Sequence, residues 1–165
     1  KPPTMASDPT LEVYEFMAAL RPRAPIVGLD LGTKTIGIAL SDITLSIASA
    51  LETIRRKKFA TDADRLDEIV TTHDVVGIVI GLPINLNGTE GPRAQSTRAF
   101  ARNLAQRTDL PMMFWDERLS TAAAERTLLE ADASRKRRGE VIDKMAAAFI
   151  LQGALDRMSH IRNEN

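Results

Sequence analysis

Three carboxylates stand where the local pattern of the chain changes: Asp30 closes an apolar run, Glu117 follows another, and Asp143 lies in the opening turn expected for the last helix. Asp30 is the most telling. It ends Ile26-Val-Gly-Leu29, which reads as a buried strand, and faces the turn Leu31-Gly-Thr-Lys34. A buried carboxylate is costly unless a cation, a metal or hydrogen-bond donors neutralise it. The chain has no cysteine, and its two histidines lack the spacing of a metal motif, so a metal would be held by oxygen. That favours Mg²⁺ or Mn²⁺. Asp30, Glu117 and Asp143 together suit a pair of hard divalent ions about 4 Å apart, one activating water and the other stabilising the leaving oxygen of a phosphodiester. Each acid also has a plain structural use: Asp30 can cap a turn, and Glu117 and Asp143 can complement helix dipoles.

Cations lie close to two of these acids. Lys34 follows Asp30 and Arg118 adjoins Glu117, each able to grip a phosphate or to serve as an ion-pair partner. Gly81-Leu-Pro-Ile-Asn-Leu-Asn-Gly-Thr-Glu-Gly91 is a polar loop whose amides, with Asn85, can meet sugar or phosphate oxygens; turn chemistry is the alternative. Lys34, Asn85 and Arg118 are therefore the candidate substrate-binding residues. There is no Gly-x-Ser-x-Gly, dinucleotide fingerprint or P-loop, which speaks against acyl transfer and Rossmann redox chemistry.

The elements that must position these groups follow from periodicity. Residues Leu11 to Leu20 read as a short amphipathic helix. Ile26–Leu29, Thr35–Leu40 and Ala50–Ile54 read as three strands, and Thr61–His73 as a helix with Leu66, Ile69 and Val70 inward. Val75 to Leu82 is apolar without alternation, as in a central strand covered on both faces. A helix from Pro92 to Gln106, a strand from Met112 to Trp115, an alanine-rich helix from Ala122 to Ala131 and a last helix from Val141 to Met158 complete the order. On that last helix Met145, Ala148, Phe149, Leu151, Gln152 and Leu155 are expected near one side. The pattern predicts an α/β fold: a mixed five-stranded sheet, a three-strand antiparallel meander plus parallel strands, with helices on both faces. With strand 4 between strands 1 and 5, Asp30 and Glu117 lie about 10 Å apart, where ligands gather in such sheets.

Size and charge set the remaining bounds. At 165 residues, 44% hydrophobic and 27% charged, the chain suits one domain: an extension over residues 1–24, a core over 25–160 and a polar tail at 161–165. No run has the length of a membrane-spanning helix, which makes the cytoplasm the default compartment. Basic and acidic residues both number 22, so attraction to nucleic acid must be local. Arg55-Arg-Lys-Lys58 and Arg135-Lys-Arg-Arg138 supply clustered cations for it, or are solvated loops.

Gly28-Leu-Asp-Leu-Gly-Thr-Lys-Thr-Ile-Gly-Ile-Ala-Leu-Ser-Asp42, Gly81-Leu-Pro-Ile-Asn85, Asp116-Glu-Arg-Leu-Ser-Thr121 and Ile142-Asp-Lys-Met-Ala-Ala147 resemble, in order, the motifs of the YqgF/RuvX family of RuvC-like Holliday junction resolvases and pre-16S rRNA nucleases. The resemblance implies a ribonuclease H-like fold and a cytoplasmic, metal-dependent nuclease with Asp30, Glu117 and Asp143 as catalytic acids. Its implied partners are pre-rRNA or branched DNA, with ribosomal particles and no membrane, the chain acting as monomer or homodimer. The chain departs from the wider resolvase group in having no acid at the end of strand 4, where Gly81-Leu82-Pro83 stands, and Ala146 three residues after Asp143. Two further readings compete. Asp-Leu-Gly-Thr also opens the nucleotide-binding domains of the actin and sugar-kinase group, and a chain with few metal ligands also suits a non-catalytic, RNA-binding ribosome-assembly factor.

Overall fold

The computed structural model describes residues 8–119 and 135–164, with side chains in the last helix from Ile142 onward. The elements run α1 (Val13–Ala19), β1 (Val27–Leu31), β2 (Thr35–Ser41), β3 (Ala48–Arg55), α2 (Phe59–His73), β4 (Ile78–Leu82), α3 (Pro92–Ala105), β5 (Met112–Asp116), a 3₁₀ turn (Glu117–Leu119) and α4 (Arg135–Glu164). One five-stranded sheet has the order β3-β2-β1-β4-β5. β1, β2 and β3 pair antiparallel, while β4 lies parallel to both β1 and β5. This is the mixed sheet expected from the sequence, and it places β1 at the centre with β4 between β1 and β5.

Alternation along the strands divides the core in two. Val27, Leu29, Leu31, Ile36, Ile38, Ile78 and Ile80 pack with α2 and α3 through Leu66, Ile69, Phe100 and Leu104. Ala39, Val79, Met113 and Trp115 pack on the opposite face with α1 and α4 through Phe16, Ile150, Leu151 and Leu155. Each large aliphatic side chain so buried contributes about 1.5–3 kcal/mol of transfer free energy. α3 begins with Pro92, whose missing amide hydrogen would have had no partner in the first turn. α2 ends at Asp74 in the left-handed conformation, its amide donating to Val70.

Four local expectations are corrected. β1 extends through Leu31, so Asp30 is inside the strand, opposite Gly37, rather than at its terminus. β4 starts at Ile78 instead of Val75; the amides of Val75 and Val76 donate to Val70 and Pro25 rather than to a strand. α4 starts at Arg135, so the second basic run forms helix backbone rather than a loop, and Asp143 lies eight residues in, more than two turns from the start. Dipole complementation does not explain Asp143. The buried side of α4 carries Ile142, Ala146, Ala147, Ala148, Ile150, Leu151, Ala154, Leu155 and Met158, with Met145, Phe149 and Gln152 only half-buried. Gln152 instead ties the helix to the β2–β3 loop, its side chain donating to Ser46 carbonyl and accepting from Ala48 amide, both at 2.9 Å. The expected helix over Ala122–Ala131 lies outside the described residues.

Candidate active site

Asp30 is 3% exposed on the central strand. Its side of β1 is the side that meets α4, because two residues earlier a Cβ on Gly28 would stand 2.7 Å from Leu151 Cβ. Glycines clear the sheet on both sides of Asp30. Gly37 is its partner on β2. Gly81, one residue beyond the Leu29–Ile80 pair, is its neighbour on β4.

The two clearings are filled by the other candidate acids. The position of a Cβ on Gly37 is taken by the backbone carbonyl of Asp143. A Cβ on Gly81 would lie 2.9 Å from Glu117 Oε1 and 2.6 Å from Ile150 Cδ1. Asp30, Glu117 and Asp143 are thus brought to one face, over three adjacent strands, across about 10 Å. Glu117 gets there because the chain tightens into a 3₁₀ turn as soon as β5 ends. Asp143 is fixed from below, its Oδ2 accepting a short hydrogen bond from Thr35 Oγ1 at the start of β2.

The candidate substrate-binding residues have separate fates. Lys34 is exposed at the β1–β2 turn, with no ion-pair partner among the described residues. Arg118 does not pair with Glu117: its Nε and Nη2 donate to Asp116, the closest contact being 2.7 Å. The Arg118 guanidinium holds the Asp116 carboxyl below its ordinary range, and Asp116 in turn raises Arg118. Asn85 serves the turn. Its amide donates to Thr89 carbonyl at 2.9 Å, its carbonyl accepts from Gly88 at 2.8 Å, and Nδ2 reaches Thr89 Oγ1 at 3.0 Å. Asn85, Leu86, Glu117 and Arg118 still share a cleft of ≈ 340 Å³ with Pro92 and Arg93.

Sequence reasoning missed Thr35, Gly37 and Asp116. A threonine and a glycine inside a β-rich run carry no local signal of a helix arriving 108 residues later. For Asp116 the signal was present: a carboxylate two residues before an arginine, able to accept that residue's own amide, here at 2.9 Å.

The donor chemistry fits hard divalent ions, being carboxylate oxygen throughout, with one donor deeply buried. The side chains do not form a finished cage: among the described residues no three acid or histidine side chains stand close enough to hold an ion.

The sheet order and the helices on both faces are those of the ribonuclease H-like fold. Two solved structures share the fold: Thermus thermophilus RuvC in complex with Holliday junction substrate (TM-score 0.51, 13% identity, 82% of this chain and 96% of that one) and RuvC from the same organism (TM-score 0.51, 15% identity, 82% and 97%). The profile of the RuvX family, described as Holliday junction resolvase, matches residues 24–157, and the chain belongs to that family. With it the chain joins the hydrolases of phosphodiester bonds. It is 65% identical over 149 residues to a protein of Ruegeria sp. (strain TM1040), covering 90% of this chain and 95% of that one. It is 62% identical over 155 residues to one of Roseobacter denitrificans, covering 93% and 95%. Both relatives bear the name "Putative pre-16S rRNA nuclease".

Proposed function

We propose that this chain is a divalent-metal-dependent nuclease that matures the 5′ end of precursor 16S rRNA in the cytoplasm. The observation that carries the reading is the pair of glycine clearings around Asp30, filled by Glu117 on one side and by Asp143 backbone on the other. A sheet gives up side-chain volume at two adjacent central positions at a cost in packing, and here the volume goes to acids. The names of the relatives in Ruegeria and Roseobacter support precursor 16S rRNA as the substrate.

In this reading Asp30, Glu117 and Asp143 hold Mg²⁺ or Mn²⁺, two ions in all. When bound, such ions lower the pKa of water and offset the charge that develops on the phosphate. The chain's own residues do the rest. Thr35 sets the orientation of Asp143, Ile150 and Leu151 close the floor of the site to water, and Lys34 offers an exposed cation to the incoming strand. Arg118, tied to Asp116, lines the cleft beside the loop that Asn85 closes, and there it faces the sugar and phosphate oxygens of the strand.

A junction resolvase is the second reading, favoured by the family's description. It requires a symmetric dimer with two sites on crossing strands. The test takes purified protein and its Asp30→Asn variant with precursor rRNA and with a synthetic four-way junction, in Mg²⁺, Mn²⁺ or EDTA. Cleavage of the rRNA alone, abolished by EDTA and by Asp30→Asn, is the expected result. Cleavage of the junction alone installs the second reading. Binding without cleavage of either overturns both and leaves an assembly factor.

A further inference from the structure

Most of the chain's well-placed arginines are neutralised. Arg21, Arg65, Arg98, Arg107 and Arg118 all pair with carboxylates. Arg56 and Arg93 are different. Arg56 Nη1 donates to the carbonyl of Gly32 at 2.7 Å, and Arg93 Nη2 to the carbonyl of Leu31 at 3.2 Å. Neither has a carboxylate partner among the described residues. Both side chains wall one hollow, each held by one of two consecutive peptide carbonyls.

Two like charges lining one hollow repel, and the repulsion is relieved when an anion enters between them. The space is there. Gly32, Thr33, Arg56, Pro92, Arg93 and Ser96 line a cavity of ≈ 240 Å³, and no acidic side chain is among its walls. The opening turn of α3 adds amide donors without adding an acid. Arg56 also lies 5.7 Å from the centre of the Phe100 ring, which holds its guanidinium plane in place.

The position matters as much as the charge. Leu31 directly follows Asp30, and Pro92 and Arg93 also wall the cleft that holds Glu117 and Arg118. The two hollows therefore share one wall along the same end of the sheet. We infer that the Arg56–Arg93 hollow binds a backbone phosphate of the nucleic-acid strand, adjacent to the one being cleaved, and so sets which bond reaches Asp30. In a protein with no net charge this gives the attraction a specific address. The inference rests on the nuclease reading and deepens it.

The experiment measures binding of a short single-stranded RNA in EDTA across a salt series, by fluorescence anisotropy. It compares the whole chain with Arg93→Gln, Arg56→Gln, their combination, Arg56→Lys, and Arg102→Gln as a charge control elsewhere on α3. Each phosphate that the protein ceases to neutralise lowers the slope of log K against log salt by about 0.7, so the combination, which empties a site for one phosphate, lowers it by about 0.7 while Arg102→Gln leaves it unchanged. Arg56→Lys, which keeps the charge, restores most of the slope and guards against a folding defect in Arg56→Gln. An unchanged slope in the combined variant overturns the phosphate site. If the unaltered chain still cleaves RNA in an Asp30-dependent manner, the nuclease reading survives that result. A chain that neither binds nor cleaves RNA overturns both.

Discussion

The two faces of the central strands are built from different residues. Toward α2 and α3 the sheet presents Leu29, Leu31, Ile36, Ile38 and Ile80, all buried aliphatics. Toward α4 the same strands present Gly28, Asp30, Gly37, Ala39 and Gly81, with Val79 as the large aliphatic among them. One face fills space along its whole length, and the other leaves room around Asp30. The aliphatic face stabilises the sheet by transfer free energy, whereas the bare face lets a helix backbone and a glutamate approach the buried Asp30. The aliphatic packing and the proposed catalytic acid thus lie on opposite sides of the same five residues of β1.

The largest effect that would break this comparison is on activity. Asp30→Asn keeps the shape and removes the charge, and it is expected to lower the cleavage rate by about 10³-fold or more, as loss of a central electrostatic group does; single-turnover cleavage measures it. Gly37→Val puts a branched side chain where the Asp143 carbonyl lies and is expected to cost about 3 kcal/mol or more in denaturant unfolding. A Gly37→Val variant with unaltered stability would show that α4 is free to move away from the sheet. Thr35→Val removes the donor to Asp143 and is expected to weaken activity about 10- to 100-fold with little loss of stability. Ile38→Val, on the aliphatic face, should cost about 0.5–1.5 kcal/mol and leave cleavage per folded molecule unchanged.

The smallest effect is at the rim. Arg118→Gln removes a partly exposed ion pair and is expected to change stability by about 1 kcal/mol at most. It should also alter the acid limb. Because Arg118 holds Asp116 below its ordinary carboxyl range, that contribution is present above the unfolded value and is lost as pH falls through the lowered one. The pH dependence of Tm on the acid side should therefore be shallower in the variant.

The strand order was legible because β1 and β4 are apolar runs of a kind only a covered central strand needs, and Asp30 was legible because it interrupts one of them. The start of α4 was not. Arg135-Lys-Arg-Arg-Gly-Glu140 has no apolar face to reveal a helical period, and Gly139 reads as a breaker, although arginine, lysine and glutamate all favour helix. Asp143 was consequently placed in a first turn, and the structural alternative to its catalytic role, complementing the helix dipole, is excluded by its depth in the helix. The side of α4 that faces the sheet was legible only in Ala148, Leu151 and Leu155: the alanines at 146, 147 and 154 carry little hydrophobic signal, yet all three are buried, Ala147 with its carbonyl close over Gly28. Small residues on both partners are a pairing that neither stretch reveals alone.

The loop from Asn85 to Thr89 has one further consequence. Its own amides and side chains close it, Gly88 supplies the left-handed backbone at φ 87° that the closure requires, and Leu86 is left 93% exposed at the lip of the cleft. The loop has already surrendered its conformational freedom during folding. Under the proposed nuclease reading, an RNA strand arriving beside it would meet a preorganised rim, with little of the binding free energy diverted to ordering protein and no induced-fit delay.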